Sequence, residues 1–259
     1  MSAPAVLVHR DSALLADAVA ARLVTRLVDA QSARSAASVV LTGGGIGTAV
    51  LRSVRDSQAR DAIDWRRLDV WWGDERFVPR DDDDRNEKAA REALLDHVDL
   101  DPARVHPMPP SDGPDGNNPE AAAERYAAEL ATAARPEDHS PVPAFDVLLL
   151  GVGPDGHIAS LFPEHPALYD DAPVLAVRNS PKPPPTRISL GFAVIQGSRE
   201  VWAVVAGEDK AKAVALALSD AGRHQVPAAA AQGRDRTLWL LDKAAAGRLP
   251  AMLGRIASP

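Results

Sequence analysis

The chain contains no cysteine. Disulfides, thiolate metal sites and cysteine nucleophiles are excluded with it, and a reducing compartment is compatible. No apolar run approaches the roughly 20 residues that a membrane-spanning helix needs. The opening segment, Met1-Ser-Ala-Pro-Ala-Val-Leu-Val-His-Arg-Asp11, lacks a basic stretch followed by an apolar one, so no secretory signal is indicated. Positive charge is not in excess either: 29 basic residues stand against 36 acidic ones, a net charge of −7. That balance offers no electrostatic footprint for nucleic acid or for an anionic membrane. A soluble cytoplasmic monomer is the default expectation. Any phosphate-bearing ligand has to be held by local groups rather than by a global field.

What is present is material for a core. Apolar residues make up 46% of 259, enough for one large α/β domain or two small ones. Short apolar runs at residues 6–8, 38–41, 68–72, 145–150, 174–177, 187–190, 200–205 and 237–241 read as strands, the last of them closing the series. Helical patterns fall between them. Leu15, Val19, Leu23 and Leu27 recur every four residues behind an Asp11-Ser12 cap. A helix is expected around residues 48–52, another over 86–98 and another over 209–218. Asn118-Pro119-Glu120 supplies an N-cap, Pro at the first helical position and an acidic first turn for a helix to about Ala134. This alternation predicts an α/β fold: an open, mostly parallel sheet with helices on both faces. One domain over 1–259 is expected, with the Pro/Gly/Asp-rich loop at 107–117 as its weakest point.

Three polar clusters sit where strands end. Thr42-Gly-Gly-Gly45 lies between a strand and a helix, where glycines let the backbone approach an anion and a helix start supplies free N–H groups. It reads equally as a plain turn needing positive φ; it is no Walker loop, since no Gly-Lys-Ser/Thr follows. Gly73-Asp74-Glu75-Arg76 is either a cap with a surface ion pair or a carboxylate and a guanidinium at a site. Gly151-Val-Gly153-Pro-Asp155-Gly156-His157 spells G-x-G-x-x-G after a strand. Against a dinucleotide site, Pro154 removes an N–H, Pro163 shortens any following helix to under two turns, and no acidic residue ends the next strand. The segment reads better as a turn presenting Asp155 and His157. A strand end, a helix start and the adjacent Asp155 favour a functional His157, because imidazole can act as a neutral base near pH 7. Ser160 is in no G-x-S-x-G elbow, so activated water is favoured over a serine nucleophile.

The Asp81–Asp84 run fails the EF-hand pattern and reads as a solvated loop. Lysine is scarce; Lys210 lies near a strand end and Lys182 in a Pro-rich loop, where surface solvation is the simpler reading. The remaining histidines show no metal-ligand spacing.

Together, Gly151-Val-Gly-Pro-Asp-Gly-His157-Ile-Ala-Ser-Leu-Phe-Pro163, Trp72-Gly-Asp-Glu-Arg-Phe-Val-Pro79 and Thr42-Gly-Gly-Gly45 resemble the 6-phosphogluconolactonases, in order and spacing over essentially the whole chain. The resemblance implies a modified Rossmann sheet of the sugar-phosphate isomerase/deaminase type. It implies hydrolysis of 6-phospho-D-glucono-1,5-lactone in the oxidative pentose phosphate pathway, with no metal or nucleotide cofactor. It makes His157 the general base and puts Asp74, Arg76 and Asp155 around the reacting centre. Asn86 matches a position near the substrate. The phosphate would lie on Thr42, Gly43, Gly44 and Gly45, with Arg187 and Lys210 closing on it. Two positions depart from the common pattern: Thr42 stands where many members carry Ser, and Ile158 where Thr is common. Rival readings are a deaminase or isomerase of the same fold with Asp74 as base, a non-catalytic sugar-phosphate sensor, and, more distantly, a nicotinamide-dependent dehydrogenase.

Overall fold

In the computed structural model, which describes residues 3–219, 221–250, 253 and 255–257, each long apolar run becomes a strand. In chain order the elements are β1 (Ala5–His9), α1 (Ser12–Arg34), β2 (Ala37–Leu41), α2 (Gly44–Asp56), β3 (Leu68–Trp72), β4 (Asp74–Arg76), α3 (Asn86–Ala93), β5 (Val105–His106) and α4 (Pro119–Ala133). There follow β6 (Val147–Leu150), β7 (Val174–Val177), β8 (Arg187–Leu190), α5 (Phe192–Gly197), β9 (Glu200–Val205), α6 (Ala211–Ala217), β10 (Arg236–Asp242) and β11 (Arg255–Ile256). Eight strands form a parallel sheet in the order β11-β1-β10-β9-β6-β2-β3-β5. Every residue of β6 and β9 is buried, which is why all of β6, and β9 from Val201 onward, read as apolar runs without alternation. Each fully buried aliphatic side chain there contributes roughly 1.5–3 kcal/mol. α1 and α2 pack on one another, and both contact the large sheet. No helix among the described residues is long and apolar enough to cross a membrane.

The sheet is not the only one. β4, β8 and β7 form a second, antiparallel sheet in that order, and α4 packs against it. This corrects the expectation that residues 74–76 are a polar cluster beyond the end of a strand and that 174–177 and 187–190 extend the parallel sheet. Gly73 is where the chain changes allegiance. Its N–H donates to Leu41 O (3.0 Å) in the large sheet, and its carbonyl accepts from Leu190 N (2.9 Å) in the small one.

Other differences are local. The helix expected over 86–98 stops at Ala93, because Leu94 leaves helical backbone (φ −148°) and a 3₁₀ turn at Leu95–His97 follows; Leu94 and Leu95 both enter the core. The helix expected from 209 begins as a 3₁₀ turn, Glu208–Lys210, ahead of α6. α5 was not signalled by any periodicity, being six residues long. β11 follows the strand expected to be last.

His106 on β5 stacks on Trp71 at 3.8 Å between ring centroids. Its Nδ1 is 2.6 Å from Glu129 Oε1, and Nε2 is 3.6 Å from Asp69 Oδ1. Burial alone would lower its pKa, but hydrogen bonds and charge from Asp69 and Glu129 outweigh it and hold the imidazole above the usual 6.5. A raised folded-state pKa contributes stability that is fully present below about 6.5 and lost as pH rises through the folded value. Wild-type Tm should therefore fall between pH 6 and pH 8, by about 2–4 °C for each kcal/mol lost. The fall should be shallower in His106→Gln, and equal slopes in the two proteins would reject this assignment.

Candidate active site

The carboxyl ends of β2, β6 and β9 meet the small sheet around a cleft of about 700 Å³. Ligands of open α/β sheets bind at such strand ends. Thr42, Gly43, Gly44, Gly45, Asp74, Arg76, Asn86, His157, Arg187 and Lys210 all line it. Asp155 does not; it stands behind His157, with Oδ1 2.5 Å from His157 Nδ1. Burial would raise the Asp155 pKa, but the His157 hydrogen bond, the His157 charge and backbone N–H, and the charge of Lys182 pull it down to about 2. Asp155 is thus a carboxylate at any working pH, an acceptor only. The imidazole proton belongs on Nδ1, which leaves the Nε2 lone pair open. Nε2 has no partner among the described residues.

The turn carrying this pair is closed by Gly153 N donating to His157 O and Gly156 N to Gly153 O, both 2.9 Å. Gly156 has φ +88°, a conformation that glycine adopts without strain. Gly153 is needed for room: a Cβ there would stand 2.0 Å from His157 Nδ1. No helix follows His157, contrary to expectation; Ile158 and Leu161 form an isolated bridge instead. The G-x-G-x-x-G spacing therefore opens no helix, and the anion site of a dinucleotide fingerprint is missing. Ile158 is fully buried, so the hydroxyl lost relative to Thr is replaced by core packing. Ser160 is also fully buried, and its Oγ donates to Asp74 Oδ2 at 2.7 Å. It is an anchor for Asp74 and unavailable as a nucleophile.

Strand period 2 turns Asp74 and Arg76 into the cleft and Glu75 away from it. Arg76 Nη1 donates to Asn86 Oδ1 (2.8 Å) and to Asp84 O (2.6 Å). Its Nε is buried with no partner among the described residues. Asn86 Nδ2 donates to Asp74 O at 2.9 Å. Burial pushes Glu75 up to about 7, opposed by Arg85 and by backbone N–H groups of Asn86, Glu87 and Arg76.

A cationic wall adjoins Arg76. Arg187 is held by carbonyls of the Pro-rich loop: Nε donates to Pro184 O (3.1 Å), Nη2 to Pro183 O (2.9 Å) and Lys182 O (3.2 Å). Arg187 lies directly across the β4–β8 pair from Arg76. Like charges in that register destabilise a sheet, which an anion in the cleft would relieve. Lys182, read from the sequence as a solvated surface residue, lines the cleft. Burial, Lys210 and Arg187 depress its pKa, with Asp155 and Asp209 opposing. Its local sequence carries no signal for this, because the loop is folded back by Arg187. Lys210 donates to Asp209 Oδ2 at 2.7 Å. Thr42 Oγ1 accepts from Gly151 N at 3.1 Å and so ties the ends of β2 and β6 together. Gly43 caps α2 with no side-chain hydrogen bond, leaving N–H groups at the helix start open. Ser12 and Ala13, at the start of α1, also line the cleft; nothing in the sequence marks them out. Among the described residues, no group of three or more His, Asp or Glu is placed to hold a metal ion.

A family model described as glucosamine-6-phosphate isomerases/6-phosphogluconolactonase matches residues 10–239. The chain belongs to this family. A 6-phosphogluconolactonase of Streptomyces coelicolor is 62% identical over 251 residues, covering 96% of each chain. One from Mycobacterium tuberculosis is 52% identical over 93% of this chain and 96% of its own. The solved structure of the Trypanosoma brucei 6-phosphogluconolactonase is 30% identical, with a TM-score of 0.81 over 95% of this chain and 99% of that one. The glucosamine-6-phosphate isomerase/6-phosphogluconolactonase family match spans all three strand-end clusters, from Thr42 to His157, and Lys182, Arg187 and Lys210 beyond them.

Proposed function

We propose that the chain hydrolyses 6-phospho-D-glucono-1,5-lactone to 6-phospho-D-gluconate, the second step of the oxidative pentose phosphate pathway. The carrying observation is the His157–Asp155 pair, 2.5 Å apart, at a cleft that Arg187, Lys182 and Lys210 also line. Neutral His157 takes a proton from water at Nε2 as the water oxygen bonds to the lactone carbonyl carbon. The carbonyl becomes an oxyanion, and the Arg76 guanidinium, which lines the cleft, is a donor suited to it. One such donor is worth about 3 kcal/mol. When the intermediate collapses, the bond from the carbonyl carbon to the ring oxygen breaks. The proton on Nε2 passes to that oxygen, which leaves as a hydroxyl, and His157 is neutral again. Asp155 keeps the productive tautomer and stabilises the transient imidazolium.

The phosphate fits the start of α2, where Gly44 and Gly45 offer backbone N–H groups. The Thr42 hydroxyl, already an acceptor, still has a proton to donate. Arg187, Lys182 and Lys210 supply charge-assisted hydrogen bonds. Asp74, anchored by Ser160, is suited to sugar hydroxyls. The direct test generates the lactone with glucose-6-phosphate dehydrogenase and follows its disappearance with and without the protein. No acceleration over spontaneous hydrolysis would reject the reading.

Arg187 gives a finer prediction. Two of its nitrogens are spent on the Pro-rich loop, and Nη1 has no partner among the described residues. Arg187→Ala should raise KM by about tenfold or more, the scale of one lost charge-assisted hydrogen bond, while kcat changes less. An unchanged KM removes Arg187 from the phosphate site.

A further inference from the structure

Glu75 lies in the same three-residue strand as Asp74 and Arg76 yet does not reach the cleft. Its side chain is 1% exposed. Oε1 accepts from Asn86 N (2.7 Å) and Arg76 N (2.9 Å), and Oε2 accepts from Glu87 N (2.9 Å). Asn86 and Glu87 are the first two residues of α3, whose own N-cap residue, Arg85, makes no side-chain cap. Glu75 therefore caps α3 from a different element. A carboxylate at a helix start meets both the unpaired N–H groups and the positive end of the dipole.

What this cap holds is chemically specific. Asn86 is the first helical residue, and its side chain bridges three parts of the cleft. It donates to Asp74 O, accepts from Arg76 Nη1 and lies against Gly43, where an added Cβ would come within 1.9 Å of Asn86 Oδ1. Behind the cap, Arg85 is fully buried, 3.8 Å from Glu75 Oε2 and 3.0 Å from Glu87 Oε2, and donates to Met108 O at 2.7 Å. These contacts make a supporting layer that touches no substrate.

We propose that Glu75 is a positioning residue: by capping α3 it fixes Asn86, and through Asn86 it aims the Arg76 guanidinium at the reacting carbonyl and shapes the glycine loop. The inference rests on the lactonase reading and adds to it a residue that acts only through others. Glutamine at this position keeps the volume but turns an N–H₂ toward at least one backbone N–H.

The test measures kcat, KM and Tm for wild type, Glu75→Gln, Asn86→Ala, the double variant and Glu87→Gln. Glu75→Gln should lower kcat by about 10- to 100-fold, the scale of a misplaced catalytic group, with KM changed far less. Added to Asn86→Ala, it should lower kcat little further, because both act on one chain of contacts. Glu87→Gln disturbs the same buried charges without touching Asn86 or Arg76, and should lower Tm while leaving kcat near wild type. Three results overturn the proposal: full kcat in Glu75→Gln, multiplicative losses in the double variant, or an equal kcat loss in Glu87→Gln. If Glu75→Gln does not fold, Asn86→Ala still decides, since wild-type kcat there leaves Glu75 nothing to position. A wild type without turnover rejects the lactonase reading itself; a wild type with turnover and an unaltered Glu75→Gln rejects only the role of Glu75.

Discussion

His157→Ala should lower kcat for lactone hydrolysis by about 10²–10⁴-fold, the usual worth of a positioned general base, with KM kept within a few-fold. That loss corresponds to roughly 3–5 kcal/mol of transition-state stabilisation. The lactone is a reactive ester that also opens in water, so rates need correction for spontaneous hydrolysis. What survives in the variant reports the cationic wall and Arg76, which still bind and polarise the substrate. Fold should be preserved. The ring packs on Phe162 at 4.6 Å between centroids, but it faces an open cleft, so its removal leaves no sealed cavity. A variant with wild-type kcat would show that another group activates water, and the reading of the Asp155 pair would fall with it.

Gly153→Ala should come next in severity, with kcat down by about 10²-fold, as when a catalytic group is misplaced by an ångström. The backbone is no obstacle, since Gly153 is not among the positive-φ glycines. The obstacle is space: a Cβ would lie 2.0 Å from His157 Nδ1, 2.1 Å from Cε1 and 2.4 Å from Asp155 Oδ1. All three are far inside van der Waals contact. The methyl group must therefore separate the imidazole from its carboxylate or swing the whole turn. Gly197→Ala is the matched control, because a Cβ there meets nothing within 4 Å. It should leave kcat unchanged. Equal losses in both variants would mean that the effect is general loosening, and normal turnover in Gly153→Ala would mean that the pair tolerates rearrangement.

Much of the scaffold was legible because its strands are apolar runs that bury on both faces. The runs at 38–41, 68–72, 145–150 and 200–205 needed no tertiary information, and Asn118-Pro119-Glu120 marked the start of α4 unaided. The small sheet was hidden for the opposite reason. Asp74-Glu75-Arg76 carries no apolar alternation, so nothing in it says strand. Its pairing with β8 is set more than a hundred positions away, with Arg76 opposite Arg187 in the register. The glycines were legible as turns but not as clearances. That Gly43 makes way for Asn86, and Gly153 for His157, depends on side chains arriving from elsewhere. Lys182 was misjudged on the same grounds: a lysine among prolines looks solvated until Arg187 gathers the loop's carbonyls and folds it over the cleft. The helix expected after His157 failed because Gly156 and Ala159 both take positive φ, which no helical turn accommodates.

Gly73 ties one strand edge to each sheet, N–H to Leu41 and carbonyl to Leu190, with no slack on either side. Most loops of this chain could absorb an extra residue; this junction cannot. One inserted residue would advance β4 by half a pleat and exchange its two faces. Glu75 would then look into the cleft, while Asp74 and Arg76 turned toward the buried charges of Arg85 and Glu87. Composition would barely change, yet β4 would present a lone acid to an anionic substrate. The chemistry of this strand is thus written as parity, odd or even, counted from a single glycine.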